Sequence, residues 1–475
     1  MILHRRIQPR LLANQRKPRW SVCLKRDFGG FGTVAGVGIE PGHTFMVPAV
    51  RGNRPTAPAE GPLRIRFGAM AGVPRVQEER RSGANPKGTL REMCHVVILA
   101  RRNCSLALKV IRALGRTRRY TIIVVGDESV HAVRWSRYVE EFRSVGIASD
   151  EQDLLTVLGS CADRGERCIL LPVNSEDFYL CATRRGRLED DYQLPPLPPV
   201  NALEIAADKW RLYAAARAAG IQMLPTVQLR QIVEEGFEEI PSFPVLLKTR
   251  ARGGGEGFQV AETRHQLLEM ARTCGERAED FIVQPLIRGV DHSLSVFCVD
   301  GEILAYTLWR AVAPGGERFG MPGVIEFVEQ PQVLEEGRKA MKALRWSGVC
   351  DMDFLVQEED QRVWLLEING RFWGTLPACT AAGVNFPWLM CAYAEHGTLP
   401  AAVTPPAGFR YARPGAILQC LRRAGPRGWR GWAAGLRHAL VDLVRDPAPM
   451  VLHQLARRVA GKRRRDRGQP SSAAT

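Results

Sequence analysis

Apolar residues first gather into a sustained run at 95–100 (HVVILA), as expected of a strand buried on both faces of a parallel sheet. A helical pattern follows over about 104–115 and stops near Gly115. Residues 120–125 (YTIIVV) read as a second strand and 169–173 (ILLPV) as a third, after a helical stretch near 150–163. Strand–helix–strand at this spacing predicts right-handed crossovers and a small doubly wound sheet. Arg101, Arg102, Asn103 and Cys104 fill the first turn, where a dinucleotide loop would need glycines, so a nucleotide site there is disfavoured. Residues 194–200 (LPPLPPV) continue neither helix nor sheet and predict a linker. An alanine-rich helix is expected over about 202–219, closed by Gly220, after which strands and helices alternate to about 398.

The two ends lack such periods. Residues 1–92 are rich in Arg, Gly and Pro and predict a mostly disordered extension. Met93 stands immediately before the first strand, so an over-extended start is one reading of that segment. A transit peptide fits poorly with Glu78, Glu79 and the glycines of 29–38. Residues 399–475 predict one or two basic helices and a frayed tail. The net charge of +16 belongs to these ends: 17 Lys/Arg face 6 Asp/Glu in 1–92, and 15 face 3 in 401–475, leaving 93–400 at −7. An acidic middle does not resemble a phosphate-tracking groove, so nucleic acid is disfavoured as a partner. Trp429 and Trp432 among arginines make peripheral contact with anionic membrane the stronger expectation for the tail. No run of 18 apolar residues and no apolar leader occur, and the twelve cysteines form no CxxC pair. Free thiols and a cytoplasmic location are expected.

Three segments carry chemistry. Residues 243–249 (FPVLLKT) form a strand that delivers Lys248, followed by Gly253, Gly254, Gly255 and Glu256. Free backbone N–H groups in such a loop can wrap an anion, and the lysine adds a compact charge for phosphate oxygens. An ordinary hairpin with a surface lysine would read the same way. Gln284, Pro285, Leu286 and Ile287 close a short strand whose spare backbone groups could hold an adenine ring, although taken alone a plain connector is the favoured reading. The third segment, 349–374 (VCDMDFLVQEEDQRVWLLEINGRFWG), predicts two strands around a polar turn at 359–361. A turn centred on 360 places Asp353 opposite Glu367, with Asn369 on the same face. Opposed carboxylates need something positive between them. Three oxygen ligands from one sheet face suit Mg²⁺, with Mn²⁺ as the alternative, and Arg371 follows where it can neutralise a transferring phosphoryl group.

The order of these segments resembles the ATP-grasp superfamily over about 93–398. The resemblance is greatest to its carboxylate–amine ligases of unassigned substrate, related to carbamoyl-phosphate synthase large chains and biotin carboxylase. It implies an α/β and α+β chain: a Rossmann-like pre-ATP-grasp domain at 93–194, then a two-subdomain ATP-grasp domain at 195–398 with its lid at about 225–282. By position, Lys209 and Lys248 resemble the two ATP lysines, Gly253–Gly257 the phosphate loop and Gln284–Ile287 the adenine hinge. Asp353, Glu367 and Asn369 resemble the metal set, and Arg371 the arginine of E-x-N-x-R. Asp291 or His292 falls at a polar position on the ribose or phosphate side. Gln284 replaces a common Glu, and Asp353 is shorter than the usual Glu. The implied activity is ATP- and Mg²⁺-dependent activation of a carboxylate as an acyl phosphate for attack by an amine, with small-molecule acid and amine substrates. A basic-tailed membrane or nucleic-acid binder with an inactive nucleotide domain is the competing expectation. Arg310 and the glycine-rich loop 315–323 are candidates to orient the acid.

Overall fold

The computed structural model describes residues 94–146, 150–162, 168–235, 242–251, 258–313, 320–399, 407–413 and parts of 440–454. The expectations for 1–92 and for most of the tail therefore lie outside the described residues.

The first layer is a parallel sheet in the order β3-β2-β1-β4, from β1 (His95–Leu99), β2 (Thr121–Gly126), β3 (Glu141–Ser144) and β4 (Cys168–Pro172). Helices α1 (Cys104–Gly115), α2 (Glu151–Ala162), α3 (Ser175–Thr183) and α4 (Arg185–Glu189) lie between and after the strands. β1, β2 and β4 are almost wholly buried, which is why they read as unbroken apolar runs. Asn103 caps α1 by accepting from the Leu106 amide at 3.0 Å.

The expected single helix at 202–219 is two: α5 (Val200–Ala207) and α6 (Lys209–Ala218). Asp208 breaks the run because its extended backbone lets the carboxylate cap α6, accepting from the Trp210 amide at 2.8 Å. The same carboxylate pairs with Arg250 at 2.6 Å, beyond the reach of a residue inside a straight helix. Lys209 is thereby placed at a helix start.

A small antiparallel sheet, order β5-β8-β6-β7, comprises β5 (Val227–Gln228), β6 (Val245–Thr249), β7 (Gln259–Ala261) and β8 (Phe281–Pro285). It packs with α7 (Leu229–Glu235) and α8 (Arg264–Cys274) around its own apolar core. The large antiparallel sheet follows, order β13-β12-β9-β10-β11-β14. Its strands are β9 (Gly289–Val299), β10 (Glu302–Ala313), β11 (Val324–Phe327), β12 (Gly348–Gln357), β13 (Val363–Asn369) and β14 (Arg410–Ala412), with α9 (Pro331–Ala343) between β11 and β12. Then α10 (Leu376–Ala381) and α11 (Phe386–His396) pack against α1, where the Asn385 amide donates to the Ala113 carbonyl at 2.7 Å. The first layer and the large sheet thus share one core.

A piece of the C-terminal region docks on the first layer. Asp446, nearly inaccessible, accepts from Arg112 at 3.0 Å, Ser136 at 2.9 Å and the Arg137 amide at 3.0 Å. Among the described residues the ten cysteines are free thiols, and no helix is long and apolar enough to cross a membrane.

Candidate active site

The β12–β13 hairpin brings Asp353 and Glu367 opposite one another, as the turn arithmetic expects, but by a different route. Val356 pairs with Val363 and Phe354 with Leu365, a ladder centred half a residue earlier than 360; continued regularly, it would set Asp353 against Leu366. A bulge at Leu366 inserts one residue and restores the Asp353–Glu367 pairing. Bulges re-aim side chains in this way. Here Leu366, Glu367 and Asn369 all line the same cavity.

That cavity, about 400 Å³, lies between the small and large sheets. Lys209 and Lys248 line it from α6 and β6, Pro285, Leu286 and Ile287 from the strand-end hinge, and Asp291 and His292 from β9. Lys209 Nζ stands 3.3 Å from Glu367 Oε2 with both side chains largely buried. Lys248 is buried, its Nζ 5.0 Å from the centre of the Phe258 ring. Burial pushes the Lys248 ammonium down to about 8; neighbouring Lys209 pushes the same way, while Glu367 and Asp291 oppose it.

The carboxylates carry opposite shifts. Burial, then repulsion from Asp351 and Glu367, raises Asp353 well above the carboxylate range. For Glu367, burial acts upward but is outweighed by Lys209 and by hydrogen bonds from Asp353 and Asn369, which hold it low. Asn369 Nδ2 donates to both carboxylates at 3.3 Å, and its Oδ1 accepts from Arg371 at 3.3 Å. One proton shared across a buried acid pair is the state that a divalent cation replaces. Among the described residues, no three His, Cys, Asp or Glu side chains cluster as a metal site. The fit to Mg²⁺ therefore rests on two carboxylates and the Asn369 amide, with further oxygens from phosphate and water. Turning the Asn369 amide over would point its oxygen at the pair.

Other expected residues are placed less simply. Gln284 is buried, but its amide donates to Thr226 Oγ1 at 2.8 Å, and its side chain is absent from the cavity lining. His292 Nδ1 lies 2.9 Å from the Val290 carbonyl, and the ring borders both this cavity and a second one behind the sheet. Gly253, Gly254, Gly255 and Glu256 lie outside the described residues. Arg310 does not reach the cavity: it pairs with Glu326 at 2.8 Å in the second cavity, because alternation along β10 sends Trp309 inward and Arg310 away.

Sequence reading passed over Asp351, a buried carboxylate in the cavity that accepts from Ser293 at 2.7 Å and Ser295 at 2.6 Å. Its signal was present, since Asp351 and Asp353 share a face by the two-residue period. Trp309 and Thr375 also line the cavity and had no sequence signature; Gly320, Met321 and Pro322, from the loop 315–323 named in the sequence, line it too, while 315–319 lie outside the described residues.

Comparison with known proteins adds the following. Residues 277–414 match the model of a family described as "ATP-grasp in the biosynthetic pathway with Ter operon". The chain is similar to carbamoyl-phosphate synthase of Methanobrevibacter smithii, 26% identical over 215 residues, 43% of this chain and 57% of that protein. It is also similar to D-alanine–D-alanine ligase of Treponema denticola, 21% identical, covering 59% of this chain and 84% of the relative. Among solved structures, L-amino acid ligase from Bacillus licheniformis superposes with a TM-score of 0.50 at 16% identity, covering 64% of this chain and 74% of that one. N5-carboxyaminoimidazole synthetase from Staphylococcus aureus, complexed with ADP, gives 0.51 at 16%, covering 65% and 79%. At such identity these likenesses show the fold.

Proposed function

We propose that this chain is an ATP- and Mg²⁺-dependent carboxylate–amine ligase of the ATP-grasp kind, a reading supported by the family match over 277–414 and by the similarity to D-alanine–D-alanine ligase. The observation that carries the reading is the Lys209–Glu367–Asp353–Asn369–Arg371 cluster at the mouth of one cavity, aligned by the bulge at Leu366.

In this reading the adenine lies against the hinge at Pro285, Leu286 and Ile287, and Lys209 and Lys248 hold phosphate oxygens. Asp353, Glu367 and Asn369 would hold Mg²⁺, which screens the phosphate charge when bound. An oxygen of the acid attacks the γ-phosphorus as the bond to the β-bridging oxygen breaks, giving ADP and an acyl phosphate. The amine nitrogen then attacks the acyl carbon, phosphate leaves, and the nitrogen releases a proton. The chain supplies position and charge rather than a covalent nucleophile. Arg371 is tethered by the Phe372 carbonyl at 2.7 Å, so it is held before the phosphoryl group moves.

The test is thermal. A ligand at ~100 times its dissociation constant adds about 2.7 kcal/mol to stability. Mg-ATP should raise the melting temperature by a few degrees, only with Mg²⁺, and not in Lys248→Ala. No shift at millimolar Mg-ATP would remove the nucleotide site from this reading.

A further inference from the structure

A second group of cations lies beside the cavity wall at Gly374: Arg371 lines the cavity, and Lys109 and Arg413 stand next to that wall without lining it. Lys109 projects from α1 of the first layer, and its Nζ lies 3.9 Å from where a Cβ on Gly374 would sit. Arg371 and Arg413 are its electrostatic neighbours. Arg413 follows β14, its backbone amide bonded to the Gly323 carbonyl at 3.0 Å, which ties it to the Met321–Gly323 side of the cavity. A Cβ on Gly374 would approach Met321 Sδ to 2.7 Å, so the thioether end of Met321 lies against the same wall.

Three positive charges from three distant segments are costly to gather. Among the described residues, no ion pair joins Lys109 or Arg413 to a carboxylate, while Arg371 lies in the field of Asp351. Burial, then Arg413 and Arg371, pushes the Lys109 ammonium down to about 8, so the cation lacks a compensating anion. Two further donors are idle. Thr375 Oγ1 and Trp309 Nε1 are buried, line the same cavity and have no hydrogen-bond partner. Thr375 precedes α10 without capping it, so its hydroxyl is not spent on the helix. Orphaned buried donors beside unpaired cations describe a site shaped for an anion. Arg371 is already committed to the transferring phosphoryl group, whose charge the acyl phosphate keeps. That leaves Lys109 and Arg413 in excess.

We propose that Lys109 and Arg413, with Thr375 and Trp309 as neutral donors, hold a second anionic group of the acid substrate, so that the substrates are dianionic acids: dicarboxylates or carboxylates bearing a phosphate. This rests on the ligase reading. Lys109 acts as a specificity residue contributed by the first layer, and packing of α1 on α10 and α11 sets its reach.

The test uses the full chain with Mg-ATP and a panel of C3–C6 dicarboxylates, their monoamides and phosphorylated hydroxy acids, each with an amine mixture, reading ADP release. A dianionic acid should exceed its monoamide by tenfold or more in kcat/KM. Whether dicarboxylates or phospho-acids respond separates the two sources of charge. Lys109→Met should raise the KM for that acid about 10–100-fold, as loss of a charged hydrogen bond does. The KM for ATP should stay within threefold and Lys109→Arg should restore function; a merely structural lysine would not split the two KM values.

A readout independent of turnover is acetylation of Lys109 at pH 8, followed by peptide mapping. Dianionic acids should protect it at least fivefold, and monocarboxylates less than twofold. Preference for a monoamide, equal protection by both classes, or no protection overturns the proposal. If that occurs while Mg-ATP still stabilises the protein, the ligase reading stands; if Mg-ATP gives no shift, that reading has failed instead.

Discussion

Lys209 and Lys248 arrive on α6 and β6, and each has a carboxylate within its field: Glu367 for both, and Asp291 for Lys248. Lys109 and Arg413 arrive from the first layer and from just after β14 and share no such partner among the described residues, whereas Arg371, at the end of the hairpin, lies in the field of Asp351. One end of the cavity is balanced before anything binds, while the other is left positive. Charge that is balanced in the empty protein can serve a ligand that brings its own counter-ion, as Mg-ATP does. Uncompensated charge serves a ligand that arrives as a bare anion. Under the proposed reading, the difference separates a nucleotide end from an end that chooses the acid.

The largest test of the balanced end is Glu367→Gln. It removes the charge that Lys209 faces while keeping the shape, and should lower kcat about 10²–10³-fold. The melting temperature should move by only a few degrees, because relief of the repulsion with Asp353 opposes loss of the Lys209 pair. Full activity in this variant, measured by ADP release, would sink the metal assignment.

Next comes pH, which acts on both ends through lysines that lie at about 8. Their folded values lie below the unfolded value of about 10.4. Between those limits the unfolded chain binds more protons, so the empty protein should gain stability as pH climbs from about 8 to 10. Binding moves the other way. Below 8 Lys109 is charged and ready for an anion; above it the charge is lost, and the KM for the acid should rise up to about tenfold per pH unit. Lys109→Arg should flatten the acid profile and leave the ATP profile unchanged. An acid KM that is flat to pH 10 in the wild type would show that Lys109 does not meet the substrate.

How far each end could be read from sequence follows the same division. The balanced end lies on regular strands, where a period of two and a turn position suffice to face Asp353 with Glu367. Even there the true register depends on a bulge that no pattern announces, and Asp351 was passed over although its alternation with Asp353 was visible. The α5–α6 break at Asp208 hid inside an alanine-rich run because capping by Asp208 depends on Arg250, forty residues on. Lys109 on a mostly apolar helix looks like any surface lysine. Its meaning arises only when α1 packs on α10 and sets it beside Gly374. Asp446 is similar: one acid in a basic tail, which becomes an anchor only through Arg112 and Ser136.

The smallest expected effect sharpens the boundary of the positive end. Arg310 adjoins Trp309 in sequence, and charge counting alone would assign it to the acid. The sheet directs it instead to Glu326, where Arg410 also bonds, at 2.9 Å. In Arg310→Ala, Glu326 therefore keeps one guanidinium, and the lost pair is about half exposed on the arginine side. Such pairs contribute about 0–1 kcal/mol, so the melting temperature should shift by only a few degrees. The KM values for acid and ATP should both stay within about threefold, since less than ~0.6 kcal/mol reaches either ligand. A tenfold rise in the acid KM would extend the positive end across β10 and replace Arg413 with Arg310 as the partner of Lys109. An unchanged KM would confine acid recognition to the face that carries Trp309.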